Sequence, residues 1–267
     1  MSHFKKLSST ILFSTTVFLS YTQDIPEKNI LPLKADTANS SIGYEVPSGK
    51  EKFPLEGIIL PTAMLTYGVL SLTSNSLKNV NKDLHKIIWI DNPHKPFHLE
   101  SYIVLVPAAG AFALEAFGVK GKNTLRDKSV IYLMSGLLGN TAVYALKKTT
   151  HSLRPDSSNS NSFPSGHTAQ AFTSAEFLRK EYKNVSAWYG IAGYTIAVTT
   201  AYLRLYNNRH WLGDVVAAAG IGIASVKLAY WLYPKIQHWI FKNNHDNTAI
   251  LPFYNNGSLG IGITHVF

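Results

Sequence analysis

Three cations, two histidines and one carboxylate stand in the second half of this 267-residue chain at spacings that suit phosphate chemistry. They fall in three segments: Lys147 with Arg154-Pro155, then Pro164-Ser165-Gly166-His167, then Arg204 with His210 and Asp214. Lysine and arginine hold phosphate oxygens through charge-assisted hydrogen bonds. A histidine beside a carboxylate keeps one ring N–H engaged and leaves its other nitrogen with a free lone pair, the state that can attack phosphorus. A second histidine can hand a proton to the leaving oxygen.

The spacing says how these groups must be carried. Lys147 and Arg154 are seven apart, two helical turns, which predicts a shared face near a helix end stopped by Pro155. On its own that pair also fits a solvated basic helix end. Ser165 reads as an N-cap and Gly166 as a point where backbone approaches a ligand, with His167 in the first turn of the helix that follows. Free amides and the positive dipole end there would hold an anion. Arg204 and His210 are six apart and so about 240° out of phase on one helix, which requires a break, expected at Asn207-Asn208. His210 and Asp214, four apart, are expected on one face of the next helix, a spacing that an ordinary surface pair also satisfies. His167, His210 and Asp214 are also conceivable metal ligands. Three cations aimed at one cavity would repel a divalent ion and favour a dianion, so no metal and no other cofactor is expected.

Long apolar stretches with short polar joints must position these groups: Gly57–Leu72, Ser101–Val119, Ser129–Leu146, Thr168–Leu178, Trp188–Tyr206 and Asp214–Tyr233. Their lengths and their Ala and Leu content predict helices, hence an all-α, six-helix antiparallel bundle over residues 57–233. Residues 23–56 read as an irregular polar leader. The tail, 234–267, carries Thr248–Tyr254 and Ser258–Phe267 around Asn255-Asn256-Gly257, which predicts a short β-hairpin.

The first 22 residues fit an export signal, Lys5 and Lys6 followed by an apolar stretch from Leu7 to Tyr21, with an uncleaved membrane anchor as the alternative. Its removal lowers net charge from +9 to +7, so the remainder stays basic. No Lys/Arg stripe interleaves with aromatics, and nucleic acid is not an expected partner. The chain has no cysteine, which excludes disulfides and thiol chemistry. The joints at 120–128 and 179–183 are basic and lie opposite the motif residues, which by the positive-inside rule places the pocket outside. Counting spans from a cleaved signal places it inside. A soluble or membrane-associated periplasmic bundle reconciles the two and suits an overall hydropathy close to zero; an early segment that does not span would also do so.

Taken together, the three ordered segments resemble the type 2 phosphatidic acid phosphatase (PAP2) superfamily, which also contains bacterial non-specific acid phosphatases and vanadium-dependent haloperoxidases. The resemblance covers roughly residues 57–233. It implies a metal-independent helical bundle that hydrolyses phosphate esters through a phosphohistidine. Carried across, Lys147, Arg154 and Arg204 would bind phosphoryl oxygens with help from Ser165 and Gly166. His210 would be the nucleophile, Asp214 its orienting partner and His167 the general acid. Two departures stand out: Leu203 precedes Arg204 where the family usually has a small residue, and only eight residues separate Pro155 from Pro164. The expected activity is therefore a phosphatase on phosphomonoesters or pyrophosphates of lipids, such as phosphatidic acid, a polyprenyl pyrophosphate or lipid A, at the inner membrane or in the periplasm. A soluble periplasmic acid phosphatase is the alternative, and a haloperoxidase a third reading.

Overall fold

Helices account for every element between residues 55 and 241, as the Ala- and Leu-rich texture predicts. In the computed structural model the described residues are 53, 55–241, 248–255 and 258–265, with side chains described as far as 237. The export segment 1–22 and nearly all of the leader 23–56 lie outside the described residues. The helices are α1 (Leu55–Leu70), α2 (Asn75–His85), α3 (Glu100–Ile103), α4 (Val106–Ala116), α5 (Leu125–Thr150), α6 (Gly166–Tyr182), α7 (Ala187–Tyr206) and α8 (Leu212–Phe241). A π-helical turn, Lys86–Ile90, prolongs α2.

The chain is all-α through this region, with eight α-helices among the described residues rather than the six expected. One addition is α2, whose Asn75, Lys78, Asn79 and Lys82 hide it from a search for apolar stretches. The other arises because Ser101–Val119 divides into α3 and α4 just ahead of Pro107, which sits at the start of α4, where its missing N–H costs nothing. The last helix also runs eight residues past Tyr233, through Pro234, so it enters the segment read as tail. Beyond it, the backbone of β1 (Thr248–Asn255) pairs antiparallel with β2 (Ser258–His265).

Local chemistry sets the helix limits. Thr124 Oγ1 accepts the Asp127 N–H at 3.2 Å and opens α5. The helix ends where His151 turns left-handed at φ 44°. Ser186 Oγ accepts the Trp188 N–H at 3.3 Å and opens α7, and α7 closes at Tyr206 before Asn208, with φ 58°.

Six of the helices alternate in direction. At one end Gly68 of α1 meets Gly213 and Ala217 of α8, and farther along Pro61 meets Gly220. At the other end Phe53 packs edge-on against Trp231. A Cβ on Gly68 would fall 2.4 Å from that of Ala217, so glycine is what lets α1 and α8 approach. By the same logic α5 and α7 end, and α6 and α8 begin, at the end that holds Lys147, His167 and Arg204. The opposite end is tied by Lys128, whose Nζ reaches Glu115 at 2.6 Å and Tyr182 at 3.1 Å. Between the two lies a core built on Ile131, Phe177, Tyr182, Val226 and Ala229, all buried.

Two helices, Leu125–Thr150 and Leu212–Gln237, are long and apolar enough to cross a membrane. The α1 and α2 segments together pass the same test but are bent by 90° at their break. On α5 only 22% of the most apolar stretch is buried, and Leu133, Leu137 and Tyr144 face outward. A soluble bundle would turn such a stripe inward.

Candidate active site

The end of the bundle where α5 stops and α6 and α8 start collects the motif residues. Lys147 occupies the last turn of α5, and its Nζ donates to the carbonyls of Asn161 at 2.5 Å and Ser162 at 3.5 Å. Those bonds pin the polar loop 151–165 over the helix end. Arg154 is not on the helix face with Lys147, contrary to the seven-residue spacing. The left-handed His151 ends α5 three residues earlier, so a loop rather than helix periodicity carries Arg154. Pro155 therefore is not what stops the helix.

Asp156 in that loop takes a bond from Arg209 Nη1 at 2.9 Å, and Trp211 Nε1 donates to Leu153 O at 2.9 Å. The two loops that flank the pocket are thus fastened to each other. From outside, Asn207 Oδ1 accepts Phe97 N–H at 2.7 Å, His85 Nε2 meets Asn208 Oδ1 at 2.7 Å, and Asn81 Oδ1 accepts Gly213 N–H at 3.1 Å. The break at Asn207-Asn208 that the spacing requires is present.

Beyond the break, His210 lies in the connection, two residues before α8, while Asp214 sits in the first turn of α8. The pair faces across a helix start rather than along one helix. His210 Nδ1 stands 3.5 Å from Asp214 Oδ2, and both side chains are almost fully buried. The same Oδ2 accepts Ser162 Oγ at 2.5 Å and Trp211 N–H at 2.9 Å. Burial first, and then the fields of Arg204 and Lys147, push the His210 imidazole down to about 4 against the opposing pull of Asp214. The ring is neutral at pH 7.

His167 stands in the first turn of α6. Burial and the charges of Arg204, Arg154 and Lys147 hold it below the usual histidine value, and Glu100 works the other way. Arg204 and Lys147 act on both histidines, which brings all three motif segments to one place. Ser165 is fully buried; its Oγ accepts from Thr168 Oγ1 at 3.0 Å and makes no cap bond to its own helix, leaving the first-turn amides free for an anion. A Cβ on Gly166 would meet nothing within 4 Å, so the backbone there borders open space.

Two residues of the site escape the motif reading. Glu100, fully buried at the start of α3, accepts Arg204 Nη1 at 2.9 Å. Ser162 anchors Asp214. No spacing rule connects Glu100 to a residue 104 positions away, and Ser162 is one serine in a polar run. Glu100 Oε2, Arg204 Nε, Arg154 Nε and His210 Nδ1 are buried without hydrogen-bond partners among the described residues. Buried polar atoms are normally paired, so four orphans at one place mark a site shaped for something else to complete it. No group of three or more His, Asp or Glu side chains able to hold a metal occurs among the described residues.

Residues 128–238 match the PAP2 superfamily. Over 139 residues the chain is 40% identical to a lipid A 1-phosphatase of Porphyromonas gingivalis, a match covering 51% of this chain and 31% of that protein. The chain thus spans about a third of the curated relative it matches. Among solved structures it is similar to Aquifex aeolicus LpxE, at 22% identity over 57% of this chain and 94% of that one, with a TM-score of 0.45. It is also similar to a transmembrane PAP2 type phosphatidylglycerolphosphate phosphatase from Bacillus subtilis, at 18% identity over 70% and 98%, with a TM-score of 0.47. The stretch that matches runs from Lys128 to His238, within α8, and contains every motif residue.

Proposed function

We propose that the chain is a membrane-associated phosphoric ester hydrolase that removes phosphate from a phosphorylated lipid through a phosphohistidine intermediate. One observation carries the reading: a neutral, buried His210 beside Asp214, with Arg204 and Lys147 within electrostatic range and the Nε atoms of Arg204 and Arg154 left unpaired. Lys147, Arg154 and Arg204, with the first-turn amides after Ser165 and Gly166, hold the phosphoryl oxygens. Those contacts strengthen as charge builds on the equatorial oxygens in the transition state.

In the first step Nε2 of His210 attacks phosphorus, because Nδ1 is the nitrogen turned to Asp214. The P–O ester bond breaks, and the departing oxygen takes the proton of His167. Asp214 stabilises the cationic ring, itself held by Ser162 and the Trp211 amide. In the second step His167 removes a proton from water, which displaces His210 from phosphorus and returns both histidines to their starting states. A bound dianion also offsets the cations that push His167 down, so substrate binding restores the proton that this residue must donate. No metal takes part in this scheme.

The lipid A 1-phosphatase relative and the outward apolar face of α5 favour a lipid monophosphate or pyrophosphate over a soluble phosphoester. The soluble acid phosphatase is the weaker reading, because two helices have span length and composition. The deciding experiment is phosphate release from a panel of lipid A, phosphatidic acid, polyprenyl pyrophosphate and soluble phosphomonoesters, in detergent and without it. Preference for a lipid supports the reading; release from soluble esters alone, unaffected by detergent, rejects it. Activity abolished by a chelator and restored by a divalent ion would reject the metal-free scheme.

A further inference from the structure

A second concavity lies far from the pocket, at the other end of the bundle. It is a groove of about 630 Å³ along the outer face of α7, running from Ala187 through Ile191 and Tyr194 to Val198 and Thr199, with Arg179 and Lys183 of the α6 end at its head. None of the motif residues touches it. We propose that this groove binds one anionic phospholipid of the leaflet opposite the pocket, its phosphate on Arg179 and Lys183 and one acyl chain along α7. The proposal rests on the membrane-associated reading but not on the chemistry of the pocket.

Length is the first argument. Residues 187–199 of α7 extend over about 18 Å of helix, close to half of a hydrocarbon core of about 30 Å. The groove is therefore as long as the acyl chain of a single leaflet. Its apolar side chains are exposed in the protein itself, Ile191 at 52% and Val198 at 57%, so they await a cover.

Charge is the second. Arg179, Lys180 and Lys227 gather around Glu176 and Lys183 adjoins Lys180, so cations are in excess at the head of the groove. Glu176 takes Nε and Nη2 of Arg179 at 2.6 and 2.7 Å, which fixes the guanidinium at the head of the groove. Tyr194 OH donates to the same carboxylate at 2.7 Å, tying the groove wall to its head. Gly190 makes room for this arrangement: a Cβ there would fall 2.7 Å from Arg179 Cγ. Trp188 beside the head is 74% exposed, where an aromatic ring sits well at the level of lipid headgroups. A neutral or zwitterionic lipid would leave the excess cations uncompensated, whereas an anionic lipid offsets part of that excess.

The test is native mass spectrometry of the full chain in detergent, with phosphatidylglycerol and phosphatidylcholine added in equal amount. One phosphatidylglycerol retained per chain, in preference to phosphatidylcholine, is expected. Lys183→Glu combined with Thr195→Trp, which reverses the head charge and fills the groove, should cut retention roughly tenfold, the scale of one lost charge-assisted contact. Phosphate release from a soluble ester reports that the variant is folded; should the wild type release none, its melting curve serves instead, so failure here is distinct from failure of the phosphatase reading. Lys183→Glu alone, at an exposed position, is the second variant. Equal retention of the two lipids, or phosphatidylglycerol retention unchanged in both variants, overturns the proposal.

Discussion

Glu100 Oε1 accepts Arg204 Nη1 at 2.9 Å across 104 residues of chain, and the carboxylate is fully enclosed. A single short helix at the pocket wall therefore decides where Arg204, one of the three cations proposed to hold phosphate, points. The second oxygen of Glu100 and the Nε of Arg204 remain unpaired. The pair is consequently not a closed structural salt bridge: the Nε of Arg204 is a donor that an anion could take, whereas the second oxygen of Glu100 calls for a donor.

Glu100→Gln keeps the shape and removes the charge that orients Arg204. The variant should fold and lose about tenfold to a hundredfold in kcat/KM, because a guanidinium misplaced by an ångström misses the transition-state charge. Glu100→Ala should in addition lower stability by about 3–5 kcal/mol, the cost of leaving a buried guanidinium unpaired. Steady-state kinetics and thermal melting distinguish the two. Unchanged kinetics in Glu100→Gln would show that Arg204 is held by other means.

His210→Ala should abolish turnover, with a loss of at least about a thousandfold, as expected when a covalent nucleophile is removed. In the wild type, rapid quenching with a labelled substrate should trap acid-labile phosphate on this histidine. Retained turnover, or label on another residue, would reject the assignment.

Ser162→Ala removes one of the two hydrogen bonds to Asp214 Oδ2 and leaves that of the Trp211 amide. The carboxylate should then swing by a few tenths of an ångström relative to His210. A fall of about tenfold in kcat with little change in KM is expected, in keeping with 1–3 kcal/mol for a buried acceptor left short of a donor.

The pH profile follows from the two histidines. His210 must be neutral to attack, and it stays so down to about 4. His167 must be protonated to donate, and in the free enzyme it is held below its ordinary 6.5. The kcat/KM profile should thus be bell-shaped with its maximum on the acid side, rising through about 4 and falling before neutrality. A plateau that extends above pH 7 would exclude His167 as the acid.

Stability has its own pH dependence. The folded value of His210 is depressed, so the unfolded chain binds the proton first as pH falls. The contribution is fully present above about 6.5 and is lost as pH drops toward about 4, an effect of about 3 kcal/mol. Melting temperatures of wild type and His210→Asn across that window should converge at the acid end.

Much of this protein was legible without coordinates. The helical class follows from apolar stretches of helix length, and the break between Arg204 and His210 follows from their phase on a helix. The motif order alone named the residues that gather at one end, because the required groups are chemically distinctive and spaced within local reach. Local rules went wrong at helix ends, where one left-handed residue, His151, takes Arg154 off the face of Lys147, and His210 precedes α8 instead of riding on it. Glu100 with Arg204, and Ser162 with Asp214, were decided only by tertiary structure, as were the outward apolar face of α5 and the groove on α7. The physical reason is one of distance: capping, phase and charge spacing act over a few residues, whereas a buried carboxylate finds its cation only when the packed helices bring the two together.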